Sequence, residues 1–154
     1  MVYMSHGKKH GVVSAADTKF ILKDVIINPI MRNQTLRGIP KIFITVACRG
    51  DRYYARDGEE NDGCFTSKLT DIDIDYSECI ISYSTYKGFY SIRTGKGTYF
   101  IQHLCDNIDE DNGNSDIHSL FAKVNGELAE MKKQVPVFKS TMSKISLRDL
   151  ATKY

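Results

Sequence analysis
The chain has 154 residues, of which 42% are hydrophobic and 26% charged, the balance of one globular domain rather than a disordered segment. Its net charge is +2 with no dense block of Lys or Arg, which excludes a nucleic-acid stripe and a polybasic membrane patch from the expected partners. No apolar run approaches the roughly 20 residues of a membrane span, and the start, Met1-Val2-Tyr3-Met4-Ser5-His6, lacks the basic segment of a signal peptide, so a cytoplasmic protein without a membrane partner is expected.

In chain order, Val2 to Ser5 is a short apolar run that reads as a first strand, ending at His6-Gly7. Ser14-Ala15-Ala16-Asp17 reads as a capping box opening a helix that carries Phe20, Ile21, Val25 and Ile26 on one side and ends near Pro29. Lys41 to Val46 reads as a buried strand. From Asp51 to Asp75 the chain is polar, rich in Asp57, Asp62, Asp71 and Asp73, and without sustained period, so a long loop is expected. Cys79 to Tyr83 is another strand, and Gly95-Lys96-Gly97 a turn ahead of a helix. Phe100, Leu104 and Ile108 recur at spacing four, and Ile117, Leu120, Phe121, Val124, Leu128 and Met131 keep helical spacing, so two helices with core stripes follow. Val135 to Thr141 is the last strand. Strands alternating with helices predict an α/β sheet covered on both faces.

The cysteines Cys48, Cys64, Cys79 and Cys105 form no CxxC pair, so free thiols are expected, with no metal and no cofactor. Cys48 directly follows the Lys41 to Val46 strand and precedes Arg49-Gly50, at the carboxyl edge of the sheet where α/β proteins place their sites. A nucleophilic cysteine needs its thiolate, usually through a nearby imidazole. His6 ends its own strand and projects from the same edge; His10 lies in a turn beyond that end, and His103 and His118 fall within helical patterns.

These residues carry a family resemblance. Ser5-His6-Gly7, followed 42 positions after the histidine by Cys48 within Val46-Ala47-Cys48-Arg49-Gly50, resembles the SHG and QACRG active-site pattern of the caspases. The likeness runs on through Leu36-Arg37-Gly38-Ile39-Pro40-Lys41-Ile42-Phe43 and Tyr83-Ser84-Thr85. It continues in Gly88-Phe89-Tyr90-Ser91-Ile92-Arg93, Tyr99-Phe100-Ile101-Gln102 and Lys133-Gln134-Val135-Pro136. The resemblance implies a three-layer α/β/α sandwich with a mostly parallel sheet, lacking the first strands of the family fold. It divides the chain into a large-subunit-like end (1–50), an intersubunit linker (51–75) and a small-subunit-like part (76–154).

It further implies a cysteine endopeptidase cutting after aspartate in apoptosis or a related pathway. Cys48 would be the nucleophile, His6 the proton donor to the leaving amine, and the N–H groups of Gly7 and Cys48 the oxyanion donors. Arg93 would pair with the substrate aspartate, Ser91 and Arg93 would align the peptide, and Tyr90 with Ile92 would line the next pocket. Asp62, followed by Gly63, would be the maturation cut. The chain departs from the family pattern at three places. Only five residues precede His6, so strands and a pocket arginine of the family are missing; Val46 stands where the family has a pocket glutamine; and Lys139 lies in the last strand, the family's dimerisation strand. The partners implied are a peptide with aspartate before the scissile bond and a second copy or another caspase, with like charges at Lys139 opposing the homodimer. The alternative function is a non-catalytic homologue that binds and regulates a complete caspase.

Overall fold
A computed structural model of the chain describes residues 1–52, 76–131 and 134–153. The elements in order are strands β1 (Val2–Met4), β2 (Val12–Ser14) and β3 (Lys19–Ile21), helix α1 (Asn28–Arg32), and strands β4 (Lys41–Val46), β5 (Gly50–Arg52), β6 (Cys79–Tyr83), β7 (Gly88–Phe89), β8 (Arg93–Thr94) and β9 (Gly97–Thr98). Helices α2 (Tyr99–Asp111) and α3 (Ile117–Glu130), strand β10 (Val137–Ser140) and helix α4 (Leu147–Lys153) complete the fold. The expected loop over 51–75 loses its first two residues to β5, while Asp62 and Cys64 lie outside the described residues. Among the described residues no helix is long and apolar enough to cross a membrane.

The central sheet has the order β1-β4-β6-β10. β1, β4 and β6 run parallel, and β10 closes the far edge antiparallel to β6. Side chains alternate across it as the pleat requires. On one face Val46 and Ile80 meet Phe100 and Leu104 of α2 and Ile117, Phe121, Val124 and Leu128 of α3. On the other, Phe43, Ala47 and Cys79 meet Val13, Leu22, Ile27 and Met31. The sandwich is therefore three-layered, as expected. Both long helices begin with a capping side chain: Thr98 accepts from the Ile101 N–H, and Asp116 accepts from those of His118 and Ser119. Met131, expected in the α3 stripe, lies just past the helix end and is 40% exposed.

The helix expected from Ser14 is a correction. β2 and β3 form an antiparallel hairpin, followed by one π-helical turn (Lys23–Ile27) that runs into α1. Asp17 is too short to complete a capping box that wants Glu or Gln, and the Val12-Val13 and Phe20-Ile21 pairs favour the pleated surface. Ile21 and Val25 are exposed, whereas Leu22, Ile27 and Met31 fill the core. Pro29 sits in the first turn of α1, where its missing N–H costs nothing, instead of ending a helix. The hairpin is fastened to the first strand: the Ser14 carbonyl accepts from the Tyr3 hydroxyl (2.9 Å) and the Ser5 hydroxyl (2.5 Å), and the Ser14 N–H donates to the His6 carbonyl (2.9 Å).

Phe121 is 1% exposed and lies 5.5 Å from the Phe138 ring, centroid to centroid. It joins α3 to β10. Phe121→Ala is expected to cost about 3–5 kcal/mol of unfolding free energy, read from the urea midpoint at unchanged slope.

Candidate active site
β1 lies beside β4 with Met4 opposite Val46, and the Ser5 N–H continues the ladder to the Val46 carbonyl (3.0 Å). The next residues of both strands therefore meet. Gly7 is so close that a Cβ there would overlap the Cys48 carbonyl oxygen and press on the Ala47 side chain. Two hydrogen bonds flank Gly7, Lys8 N–H to Val12 carbonyl (2.8 Å) and Ser14 N–H to His6 carbonyl, and neither uses the Gly7 N–H. Among the described residues the N–H groups of Gly7 and Cys48 have no acceptor. The His6 side chain is exposed at this edge and bonds none of the described residues.

The Cys48 thiol is half-buried and faces the Ser91 carbonyl at 3.9 Å. Its position is fixed from the far side by Arg49, whose N–H donates to the Phe89 carbonyl (2.9 Å) and whose carbonyl accepts from Gly88 N–H (3.0 Å). The Arg49 guanidinium stacks 4.0 Å above the Tyr83 ring and reaches the Thr85 carbonyl at 3.5 Å. Burial lowers its pKa, which the neighbouring tyrosines Tyr83 and Tyr86 oppose, and burial also raises the Tyr83 phenol. Gly50 and Gly88 let β5 and β7 touch backbone to backbone, a contact that any Cβ at Gly50 would break.

Residues 90–92 belong to no strand, yet their backbone is fastened. The Tyr90 N–H donates to Arg52 carbonyl (2.9 Å), the Ile92 N–H donates to Gln134 Oε1 (2.8 Å), and Gln134 Nε2 donates to the Ser84 carbonyl (2.8 Å). The Ser84 and Ser91 hydroxyls share a hydrogen bond of 2.7 Å. Arg93 follows at the start of β8, exposed and without an ion pair to the described residues. Ser91, Tyr90 and Ile92 are half-buried, and Val46 is 4% exposed within the core beneath α2 and α3.

The sheet thus brings His6, Gly7, Cys48 and Ser91 to one edge. The other histidines are occupied or elsewhere: His103 Nδ1 lies 3.0 Å from Glu127, and His118 bonds Ser140 (2.7 Å). His10 sits in a left-handed turn residue (φ 64°) beyond β1. Gln134 and Arg49 received no role from sequence reasoning. For Gln134 the sequence offers only a conditional signal, since a carboxamide next to the apolar run that begins at Val135 must find partners once it is buried, and burial is seen only in the structure.

A family model described as "Caspase domain" matches residues 1–146. Caspase-7 of Gallus gallus is 28% identical over 93% of this chain and 52% of its own length, and Caspase drICE of Drosophila melanogaster is 36% identical over 79% and 37%. Among solved structures, Caspase-1 from Spodoptera frugiperda superposes with a TM-score of 0.69 at 26% identity, covering 91% of this chain and 59% of that one. The chain belongs to the caspase family of cysteine proteases, and it spans about half the length of the curated relatives it matches.

Gly7→Ala is expected to destabilise the fold by about 1–3 kcal/mol, because backbone rather than a flexible side chain must yield; thermal or urea unfolding measures it. Thiol chemistry should separate the cysteines. Burial pushes the Cys79 thiol up to about 11, so brief alkylation at about pH 8 should modify Cys48 and Cys105 and spare Cys79, as read by peptide mass.

Proposed function
We propose that this chain is a cysteine endopeptidase that cleaves peptide bonds after aspartate, within apoptosis or a related pathway. The observation that carries the reading is the meeting of Gly7 with Cys48, which leaves two backbone N–H groups next to the thiol without acceptors among the described residues. The Cys48 thiolate attacks the scissile carbonyl carbon, and the oxygen gains charge against the Gly7 and Cys48 N–H groups. The C–N bond breaks as His6 gives its proton to the leaving amine, and water then hydrolyses the thioester. Arg93, exposed and without an ion pair to the described residues, takes the substrate aspartate; Ser91 aligns the peptide; Tyr90 and Ile92 border the neighbouring residue's side chain. Val46 is buried in the core and has no polar side-chain atom, so the aspartate lacks a hydrogen bond that an amide would give, and turnover is weak. The stretch 51–75 serves as the linker between a large-subunit-like part (1–50) and a small-subunit-like part (76–154), cut at Asp62.

A second reading, a homologue that binds and regulates a complete caspase, draws on the exposed apolar edge formed by Met1, Val2 and Met4. One experiment separates the two. The purified chain is exposed to a peptide ketone ending in aspartate, with Cys48→Ala as control, and the adduct mass on Cys48 is read. Stoichiometric labelling that requires the aspartyl side chain is expected, and Arg93→Ala should slow it by at least about 30-fold through loss of the carboxylate's charge partner. A folded chain that is not labelled would remove the protease reading in favour of the regulator.

A further inference from the structure
We propose that Gln134 is a positioning residue for substrate recognition, holding the Ser91–Arg93 stretch at the distance from Cys48 that an extended peptide requires. This rests on the protease reading. Gln134 is 1% exposed, and its carboxamide bridges two main-chain groups, accepting from Ile92 N–H and donating to the Ser84 carbonyl, each at 2.8 Å. Both partners are backbone groups whose polarity is fixed, so the amide can sit one way only: oxygen toward Ile92, nitrogen toward Ser84.

Ser84 continues β6, its N–H bonded to the Thr45 carbonyl of β4 (2.9 Å), so this end of the bridge is anchored in the sheet. Ile92 lies in a segment without strand pairing, and its N–H has found a side chain in place of a ladder. The Ser84–Ser91 hydroxyl bond closes the ring of contacts one residue earlier. Ser91 is the residue whose carbonyl the Cys48 thiol faces, and Arg93 is the residue after Ile92. Removing the bridge would free the residue between those two while leaving β4, Cys48 and Gly7 as they are. The expected consequence is weaker recognition with an intact nucleophile.

The test uses the full chain and four readouts: ketone labelling, iodoacetamide alkylation, hydrogen exchange and thermal stability. Labelling of Cys48 by the aspartyl ketone over a range of concentrations separates probe affinity from limiting rate. Gln134→Ala should weaken affinity about 5- to 100-fold, the range of a buried donor and acceptor left unpaired, with limiting rate and iodoacetamide alkylation of Cys48 near wild type. Gln134→Glu adds a pH signature. Its protonated acid reproduces the amide, with C=O toward Ile92 and O–H toward Ser84, whereas its anion faces the Ser84 carbonyl. Burial raises this carboxyl's pKa, so affinity should be near wild type in acid and fall as pH rises through that raised value, a profile the wild type lacks. Hydrogen exchange at the Ile92 amide should accelerate in Gln134→Ala. Unchanged affinity in Gln134→Ala, or affinity, thiol reactivity and thermal stability all lost together, would overturn the positioning role. Absence of labelling in the wild type sinks the protease reading instead, and with it the link to substrate; Ile92 exchange equal in wild type and Gln134→Ala would then dispose of the bridge as well.

Discussion
The site depends first on the parallel pairing of β1 with β4. Register does the selecting: with Val2 opposite Ile44 and Met4 opposite Val46, the strands end together, and the residues just beyond them, His6-Gly7 and Ala47-Cys48, come into contact. A slip of one residue would turn every side chain of β1 to the other face. Tyr3 would lose the Ser14 carbonyl and its edge-on contact with Phe20, 6.0 Å between centroids. The approach is also one that glycine alone permits, since a Cβ at position 7 would occupy the place of the Cys48 carbonyl oxygen. Spacing, register and the absence of a side chain thus act as one constraint, and the two unbonded N–H groups follow from it.

On its other side the cysteine is held by Arg49. A guanidinium removed from water is costly unless its charge finds a substitute for hydration. Here the substitutes are the face of Tyr83 and the carbonyl of Thr85, both at the end of β6. The cation therefore ties the residue after Cys48 to the neighbouring strand, while its main chain pairs with Gly88 and Phe89. The segment 88–92 then hangs from three fixtures: Arg49, the Arg52 carbonyl and the Gln134 carboxamide.

Sequence periodicity located β4, β6, β10, α2 and α3, because each buries a continuous apolar face and the pattern of burial is the pattern of residues. It failed between Val12 and Arg32. There a two-stranded hairpin and a π-helical turn share one apolar run, and Ser14, a good helix-capping residue in isolation, spends its backbone on Tyr3, Ser5 and His6. A tertiary contact outweighed a local preference, and spacing does not record tertiary contacts. For the candidate site, His6, Gly7 and Cys48 were legible through the ordered motifs Ser5-His6-Gly7 and Cys48-Arg49-Gly50 and their resemblance to the caspase pattern, not through residue type alone, since Gly7 enters through its backbone N–H. Gln134 was not, since its importance lies in what surrounds it: a carboxamide at the surface would bond water and hold nothing.

The two edges of the sheet are chemically unlike, and this divides the site mechanically. β10 carries an exposed Lys139, a charge that discourages further strand pairing, and Phe138 beside it is packed on Phe121. β1 has no such guard: Val2 and Met4, on the same face as Ile44 and Val46, remain 54% and 63% exposed, so the α2–α3 layer stops short of it. Among the described residues β1 is three residues long and paired on one side, whereas β4 is six long and paired on both. Edge elements with few buried apolar contacts open at lower free energy than central ones. Cys48 therefore stands on the stiff half of the site and His6 on the soft half. Whatever covers β1, by pairing with its open backbone or roofing Val2 and Met4, would act on the position of His6 and Gly7 before it acted on the cysteine.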